Sequence, residues 1–213
     1  MEIAFRKVVP APLANLSFNA ESIWQSDFVI KSNEKTLLNA SSGKGKTTFT
    51  HLLAGLRKDF SGEVLINNTS LLSYSLEDWT NLRKDKISYV FQDLRLFGDL
   101  TVEENLKLKN DLTNHLEEEE ILYILELLGL AEKWKAKVDL LSMGQQQRIA
   151  ILRALCQPFE ILIMDEPFSH LDEENAKICL DLIIDHCERQ KAGFLITSLG
   201  GHHGIEYQNY LNL

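Results

Sequence analysis

The 213-residue chain has few cysteines, no long apolar run and no surplus of positive charge. Its three cysteines, Cys156, Cys179 and Cys187, are odd in number and match no metal-ligand spacing, so neither a disulfide framework nor a zinc site is expected. They read as small core residues of a protein in a reducing compartment. No apolar stretch approaches the roughly 20 residues that a membrane-spanning helix needs. Residues 1–13 contain no apolar signal-peptide core. The chain is therefore expected to be soluble, and to serve a membrane, if at all, through a partner. Lys and Arg number 22 against 31 Asp and Glu, for a net charge of −9, which argues against a general nucleic-acid binder with its basic surface. Repeats, low-complexity tracts and linkers are absent. What is present is 45% apolar residues, enough to fill the core of one large domain, or of one domain with an insert.

The apolar pattern switches period along the chain. Phe28-Val29-Ile30 and Thr36-Leu37-Leu38 are β-rich, with a turn at 32–35 between them. The strand at 36–39 runs into a glycine-rich loop, and a helix is expected over 46–56. Residues 62–66 and 87–90 read as further strands. From 101 to about 136 the pattern is helical, with Glu117, Glu118, Glu119 and Glu120 in a first turn where the helix dipole favours acids. Residues 161–164 form a fully apolar strand of the kind buried in a parallel sheet. Ala176, Cys179, Leu180, Ile183 and Cys187 follow the i, i+3, i+4, i+7 rule, predicting an amphipathic helix over 172–190 before another buried strand at 193–197. Alternating strands and helices imply an α/β fold around a largely parallel sheet. Residues 93–141 interrupt that alternation with helix only and carry 12 acidic and 6 basic residues. Such a segment is either a solvated helical face or an acidic surface that meets a basic partner.

Three short segments carry chemistry. In Ser41-Ser42-Gly43-Lys44-Gly45-Lys46-Thr47-Thr48, glycines let backbone N–H groups approach an anion at a helix start. There Lys46 is suited to the β- and γ-phosphates of a nucleotide, and the Thr47 hydroxyl to Mg²⁺. The pattern G-x-x-x-x-G-K-[ST] fails only at its first position, Ala40. If that position needs a positive φ, alanine costs on the order of 1 kcal/mol. Next, the apolar strand at 161–164 ends in Asp165-Glu166, at the edge where parallel strands face a ligand crevice. Asp165 is suited to hold Mg²⁺ and Glu166 to polarise an attacking water, although two acids also cap strands and turns. Last, Ser142-Met143-Gly144-Gln145 opens a helix. It is a second anion-attracting start in one chain, or an N-cap made by Ser142.

Leu141-Ser142-Met143-Gly144-Gln145, with Gln146, Gln147 and Arg148 behind it, resembles the signature of the ATP-binding cassette (ABC) ATPases. Asp165-Glu166-Pro167 resembles the end of their Walker B strand, Ser169-His170-Leu171-Asp172 their D-loop, and Tyr89-Val90-Phe91-Gln92 their Q-loop. The spacings, 46 positions from Lys46 to Gln92, 50 to Ser142 and 23 to Asp165, suit a compact cassette. The resemblance implies a P-loop NTPase (RecA-like) core with a mainly parallel sheet, an N-terminal antiparallel β subdomain and an all-helical insert subdomain. Within a single domain over 1–213, residues 1–92 and 142–213 would form the nucleotide-binding core and 93–141 the helical subdomain. It also implies ATP and Mg²⁺, and a head-to-tail dimer or paired cassette in which the 142–145 loop covers the partner's nucleotide. Gln92 would sense the γ-phosphate and join Thr47 and Asp165 at the metal, and Asp172 would communicate across the dimer. Phe18, with Trp24 as second choice, would stack on adenine, although both also suit a core.

The chain departs from the family pattern at Ala40, at Met143 and at the switch histidine, whose place is taken by Ser198, 33 positions after Asp165. Serine donates one hydrogen bond but carries no charge that titrates near neutrality. His202 and His203 lie just beyond in a glycine-rich turn, read as a mobile loop or else as a return toward the phosphate. A metal bound by that pair lacks a third ligand. The leading expectation is an ATP-hydrolysing motor subunit of an ABC transporter, slow for want of the histidine. It would sit at the cytoplasmic face of a membrane through a separate permease. The alternative is a weakly hydrolysing ATP-dependent switch or scaffold. The chain resembles small cassettes of the bacterial lipoprotein-release, cell-division and uptake groups. The long coiled-coil insert of the chromosome-structure ATPases is absent.

Overall fold

The structure, a computed structural model, describes residues 1–19, 22–41, 43–199 and 203–213. In chain order its elements are β1 (Glu2–Pro10), β2 (Asp27–Lys31), β3 (Lys35–Asn39), α1 (Lys46–Leu53), β4 (Phe60–Ile66), β5 (Thr69–Ser70), α2 (Leu76–Asp85) and β6 (Ile87–Val90). They continue with α3 (Val102–Asn110), α4 (Glu118–Leu127), α5 (Met143–Leu155), β7 (Ile161–Asp165), α6 (Glu173–Gln190), β8 (Gly193–Ser198) and β9 (Asn209–Asn212). Five strands in the order β6-β7-β8-β3-β9 pair in parallel throughout, and β2-β1-β4-β5 form an antiparallel sheet. This is the expected α/β arrangement. No helix among the described residues is long and apolar enough to cross a membrane.

Strand β7 shows how the sequence builds two cores from one sheet. Side chains alternate across a strand, so Ile161 and Ile163 join a cluster with the antiparallel sheet, α1 and α2, while Leu162 and Met164 join one with α3 to α6. Each such burial contributes roughly 1.5–3 kcal/mol. The three cysteines all lie buried in the second cluster, where desolvation pushes each thiol up to about 12, so they are packing residues and poor nucleophiles.

Several helices differ from expectation. α1 stops at Leu53 rather than at 56, because Gly55 adopts φ +65° and closes a Schellman turn, with Gly55 N–H donating to Leu52 O (3.0 Å) and Leu56 N–H to His51 O (2.8 Å). α2 was not anticipated, although Ser75-x-x-Asp78 is a complete capping box in the structure. The expected helical stretch from 101 to 136 divides after α3, where the Asn110 amide donates to Leu116 O (2.8 Å) and accepts from Leu116 N–H (2.9 Å). Acids do occupy the first turn of α4, and α6 begins one residue later than expected because Asp172 is its N-cap.

Two outcomes follow from this packing. A Cβ at Gly55 would lie 2.3 Å from the buried Trp79 ring. With the positive φ, Gly55→Ala should destabilise by about 2–4 kcal/mol in urea unfolding. His115 and His186 both have pKa values lowered, mainly by burial. The unfolded chain therefore binds more protons below its ordinary histidine pKa of about 6.5. Their contribution is full above that pH and is lost as pH falls through the lowered folded values. Replacing both by Gln should flatten the urea midpoint between about pH 7.5 and 5.5.

Candidate functional site

The register of the parallel sheet assembles the site. β7 pairs with β8 so that Asp165 faces Thr197, and β3 pairs with β8 so that Asn39 faces Ser198. The loop leaving β3 and the end of β7 thus meet at one carboxyl edge. Asp165, 1% exposed, takes the Thr47 hydroxyl on Oδ2 (2.6 Å) and the Thr197 hydroxyl on Oδ1 (2.7 Å). Thr197 Oγ1 also accepts the Glu166 N–H (3.0 Å), and the Thr47 hydroxyl lies 3.4 Å from Gln92 Oε1. A hydroxyl, a carboxylate and an amide oxygen therefore converge. This hard-oxygen set fits Mg²⁺, which keeps several waters and takes phosphate oxygens besides one or two protein ligands.

Lys46 begins α1 and is buried. Its ammonium donates to Ala40 O (2.8 Å) and pairs with Glu166 Oε1 (3.1 Å). Gly43 (φ +78°) and Gly45 (φ +101°) turn the loop, and a side chain at Gly45 would strike Leu13. Ala40 is not among the positive-φ residues, so the strain considered for it does not arise; its N–H donates to Ser198 O (3.3 Å). Ser41 and Lys44 are exposed and Thr48 is half-buried, while Ser42 lies outside the described residues. Gly43, Gly45, Lys46, Thr47, Gln92 and Glu166 line a cavity of about 250 Å³. Behind it the Tyr89 hydroxyl donates to Thr50 Oγ1 (2.6 Å), and burial raises the phenol's pKa. His51 is held below its ordinary pKa, chiefly by burial and partly offset by Asp165.

The two candidate aromatics differ in burial but line one cavity of about 180 Å³ together with Lys44. Trp24, 3% exposed, sits edge-on to Phe49 (5.9 Å) with its Nε1 3.5 Å from Lys44 O, so most of its ring belongs to the core, while Phe18 is half-buried. His203, in the glycine-rich turn after β8, packs edge-on against Phe168 (4.9 Å). It lines a cavity of about 170 Å³ together with Glu166, Thr197 and Ser198. His202 lies outside the described residues.

Residues 142–145 do not line the Lys46 cavity. Ser142 Oγ accepts the Gln145 N–H (3.3 Å) while Gln145 Oε1 accepts the Ser142 N–H (2.9 Å), a capping box on α5. Met143 is 50% exposed, and a Cβ on Gly144 would lie 2.9 Å from His170 O. Asp172 is likewise outside the cavity. Hydrogen bonds from Asn175 as the α6 cap hold its carboxyl below the usual range.

Two contributors were passed over in the sequence. Thr197 needed the β7–β8 register to be found. Gln147 had a local signal, for it shares a helix face with the buried Ala150, Ile151 and Ala154, where a polar residue is out of place. Arg153, further along α5, donates to Leu94 O (2.8 Å) and Arg95 O (2.7 Å), two consecutive residues with positive φ just after Gln92.

A family model described as ABC transporter matches residues 24–169. The lipoprotein-releasing system ATP-binding protein LolD of Buchnera aphidicola subsp. Schizaphis graminum is 38% identical over 172 residues, 79% of this chain and 75% of that protein. The sulfate/thiosulfate import ATP-binding protein CysA of Synechococcus elongatus is 33% identical over 168 residues, 76% of this chain and 45% of that protein. Among solved structures, the dimeric MJ0796, a bacterial ABC transporter cassette, superimposes with a TM-score of 0.81 at 27% identity, covering 99% of this chain and 94% of that one. Its dimeric post-hydrolysis state bound to ADP and Pi gives 0.77 at 27% identity, covering 93% and 88%.

Removing the Thr197 hydroxyl would leave Asp165 Oδ1 and the Glu166 N–H without their partner. Thr197→Val should therefore destabilise by about 2–4 kcal/mol in urea unfolding, with Thr197→Ser close to the original.

Proposed function

The chain belongs to the ABC transporter family, and on that premise we propose that it is a motor subunit closing head to tail with a second cassette to drive a separate membrane permease. Members of this family bind and hydrolyse ATP, and relatives named for lipoprotein release and for sulfate import share this part and differ in cargo. The observation that carries the reading is the convergence of Lys46, Thr47, Gln92 and Glu166 on one cavity beside a glycine loop, with Asp165 hydrogen-bonded to Thr47 at its edge.

In this reading the N–H groups of 41–48 take the phosphates of ATP, and Phe18 stacks on the adenine. Thr47, Gln92 and Asp165 would hold Mg²⁺, which would supply positive charge beside the phosphates. Lys46 pairs with Glu166 Oε1. A γ-phosphate competes for the ammonium, which frees the Glu166 carboxylate to orient and deprotonate a water. The loop of Ser142, Met143, Gly144 and Gln145 serves the partner's nucleotide, in keeping with its place outside the chain's own cavity, and Asp172 faces the dimer seam. The permease places the chain at the cytoplasmic face of the membrane.

Ser198 offers a hydroxyl where a titrating ring is expected, so hydrolysis is slow, and His203 is the nearby imidazole that supports it from the shared cavity. Purified with its permease, the chain should turn over below about 1 s⁻¹, and His203→Ala should lower the rate at least about tenfold further. A faster rate untouched by that change would reject the role of His203. Glu166→Gln should trap an ATP-bound dimer that the original chain does not accumulate. Equal trapping by both would favour an ATP-dependent switch or scaffold.

A further inference from the structure

The signature helix α5 holds the catalytic carboxylate's own backbone. Glu166 adopts φ +50°, a left-handed conformation that L-residues avoid unless their surroundings impose it. Its peptide groups are fixed from both sides. The N–H is taken by Thr197 Oγ1 (3.0 Å), and the carbonyl accepts from Gln147 Nε2 (3.3 Å). Gln147 is 1% exposed and uses its whole amide: Nε2 also donates to Ser169 Oγ (3.3 Å), and Oε1 accepts the His170 N–H (2.8 Å). One turn before it, Gly144 packs so closely on His170 O that any side chain would collide. The first turns of α5 and the 166–170 loop therefore move as one body, and Gln147 is the polar link between them.

We propose that Gln147 is a positioning residue for Glu166, and that through it the state of the 142–145 loop sets the readiness of the carboxylate at the chain's own nucleotide. This inference rests on the reading above, in which 142–145 touches the partner's ATP and Glu166 serves its own. A helix is stiff over the five positions from Ser142 to Gln147, so a shift of its N-terminus on a phosphate reaches the amide undiminished. Loss of the Gln147 donor frees the Glu166 carbonyl. The residue then relaxes toward an ordinary φ, and the carboxylate swings off its water. Nucleotide affinity, set by the β3–α1 loop, is untouched by that relaxation.

The test compares Gln147→Leu, which removes every hydrogen bond at similar volume, with Gln147→Glu, which keeps an acceptor for the His170 N–H and loses the donors. With the full-length chain and its permease, kcat, ATP affinity and the Hill coefficient for ATP are measured, with urea unfolding as the check on folding. Both variants should lose about tenfold or more in kcat, keep ATP affinity within about twofold and show a Hill coefficient reduced toward one. If Gln147→Leu does not fold, Gln147→Glu alone carries the test. Wild-type kcat in Gln147→Glu would show that the side chain merely anchors the His170 amide, and would overturn the proposal. Equal loss of affinity and kcat would overturn it too. Failure of the underlying reading looks different: the unaltered chain would not hydrolyse ATP, and Glu166→Gln would trap no dimer.

Discussion

Everything at this site depends on one buried carboxylate. Asp165 is at the end of the most apolar strand of the sheet, where an unpaired charge would be costly, and it is tolerated because hydroxyls from α1 and β8 meet both of its oxygens. Those two bonds join the glycine loop, the β7 end and the β8 end into one rigid edge. Thr197 extends the join by taking the next N–H along, so the carboxylate that fits the metal and the carboxylate that fits the water are fixed by the same hydroxyl.

Around this edge the backbone is held in unfavourable conformations. Glu166, Leu94 and Arg95 all have positive φ, at 50°, 59° and 51°. Their carbonyls are held by side chains of α5, Gln147 for the first and Arg153 for the other two. Left-handed residues cost roughly 1–2 kcal/mol each, which two or three charge-assisted or buried hydrogen bonds offset. The loops that follow β6 and β7 are therefore held by side chains of one helix, α5. A protein that must switch conformation on binding phosphate gains from such a frame, since it has discrete alternatives rather than a soft continuum.

How much of this could be read in the chain differs residue by residue. Lys46, Thr47, Asp165 and Glu166 stand out in the chain because their types and spacing are those that phosphates and Mg²⁺ require, and the structure brings them together. The capping signal before α5, at Ser142, was legible because it is local, while those of Thr101 before α3 and Asp172 before α6 were not read. α2 was passed over although Ser75 and Asp78 announce it, because its apolar pattern is weak beside its charges. Whether Ala40 is strained was not legible, because φ in a loop is set by what the loop packs against, and Ala40 does not adopt a positive φ. Trp24 and Phe18 look equivalent in sequence and line one cavity in the structure, but Trp24 is buried edge-on against Phe49 while Phe18 is half-buried.

The sequence by itself determined the family, the α/β alternation, and which residue types are available to hold a nucleotide, because motif chemistry and hydrophobic period are properties of neighbours along the chain. Only the tertiary structure decided which of those residues touch. That Thr197 serves Asp165, that His203 shares a cavity with Glu166, and that Gln147 grips the Glu166 carbonyl are all consequences of strand register and helix packing. A shift of one residue between β7 and β8 would leave every motif intact and undo the first of these contacts, since register is set by which face of each strand the two cores bury.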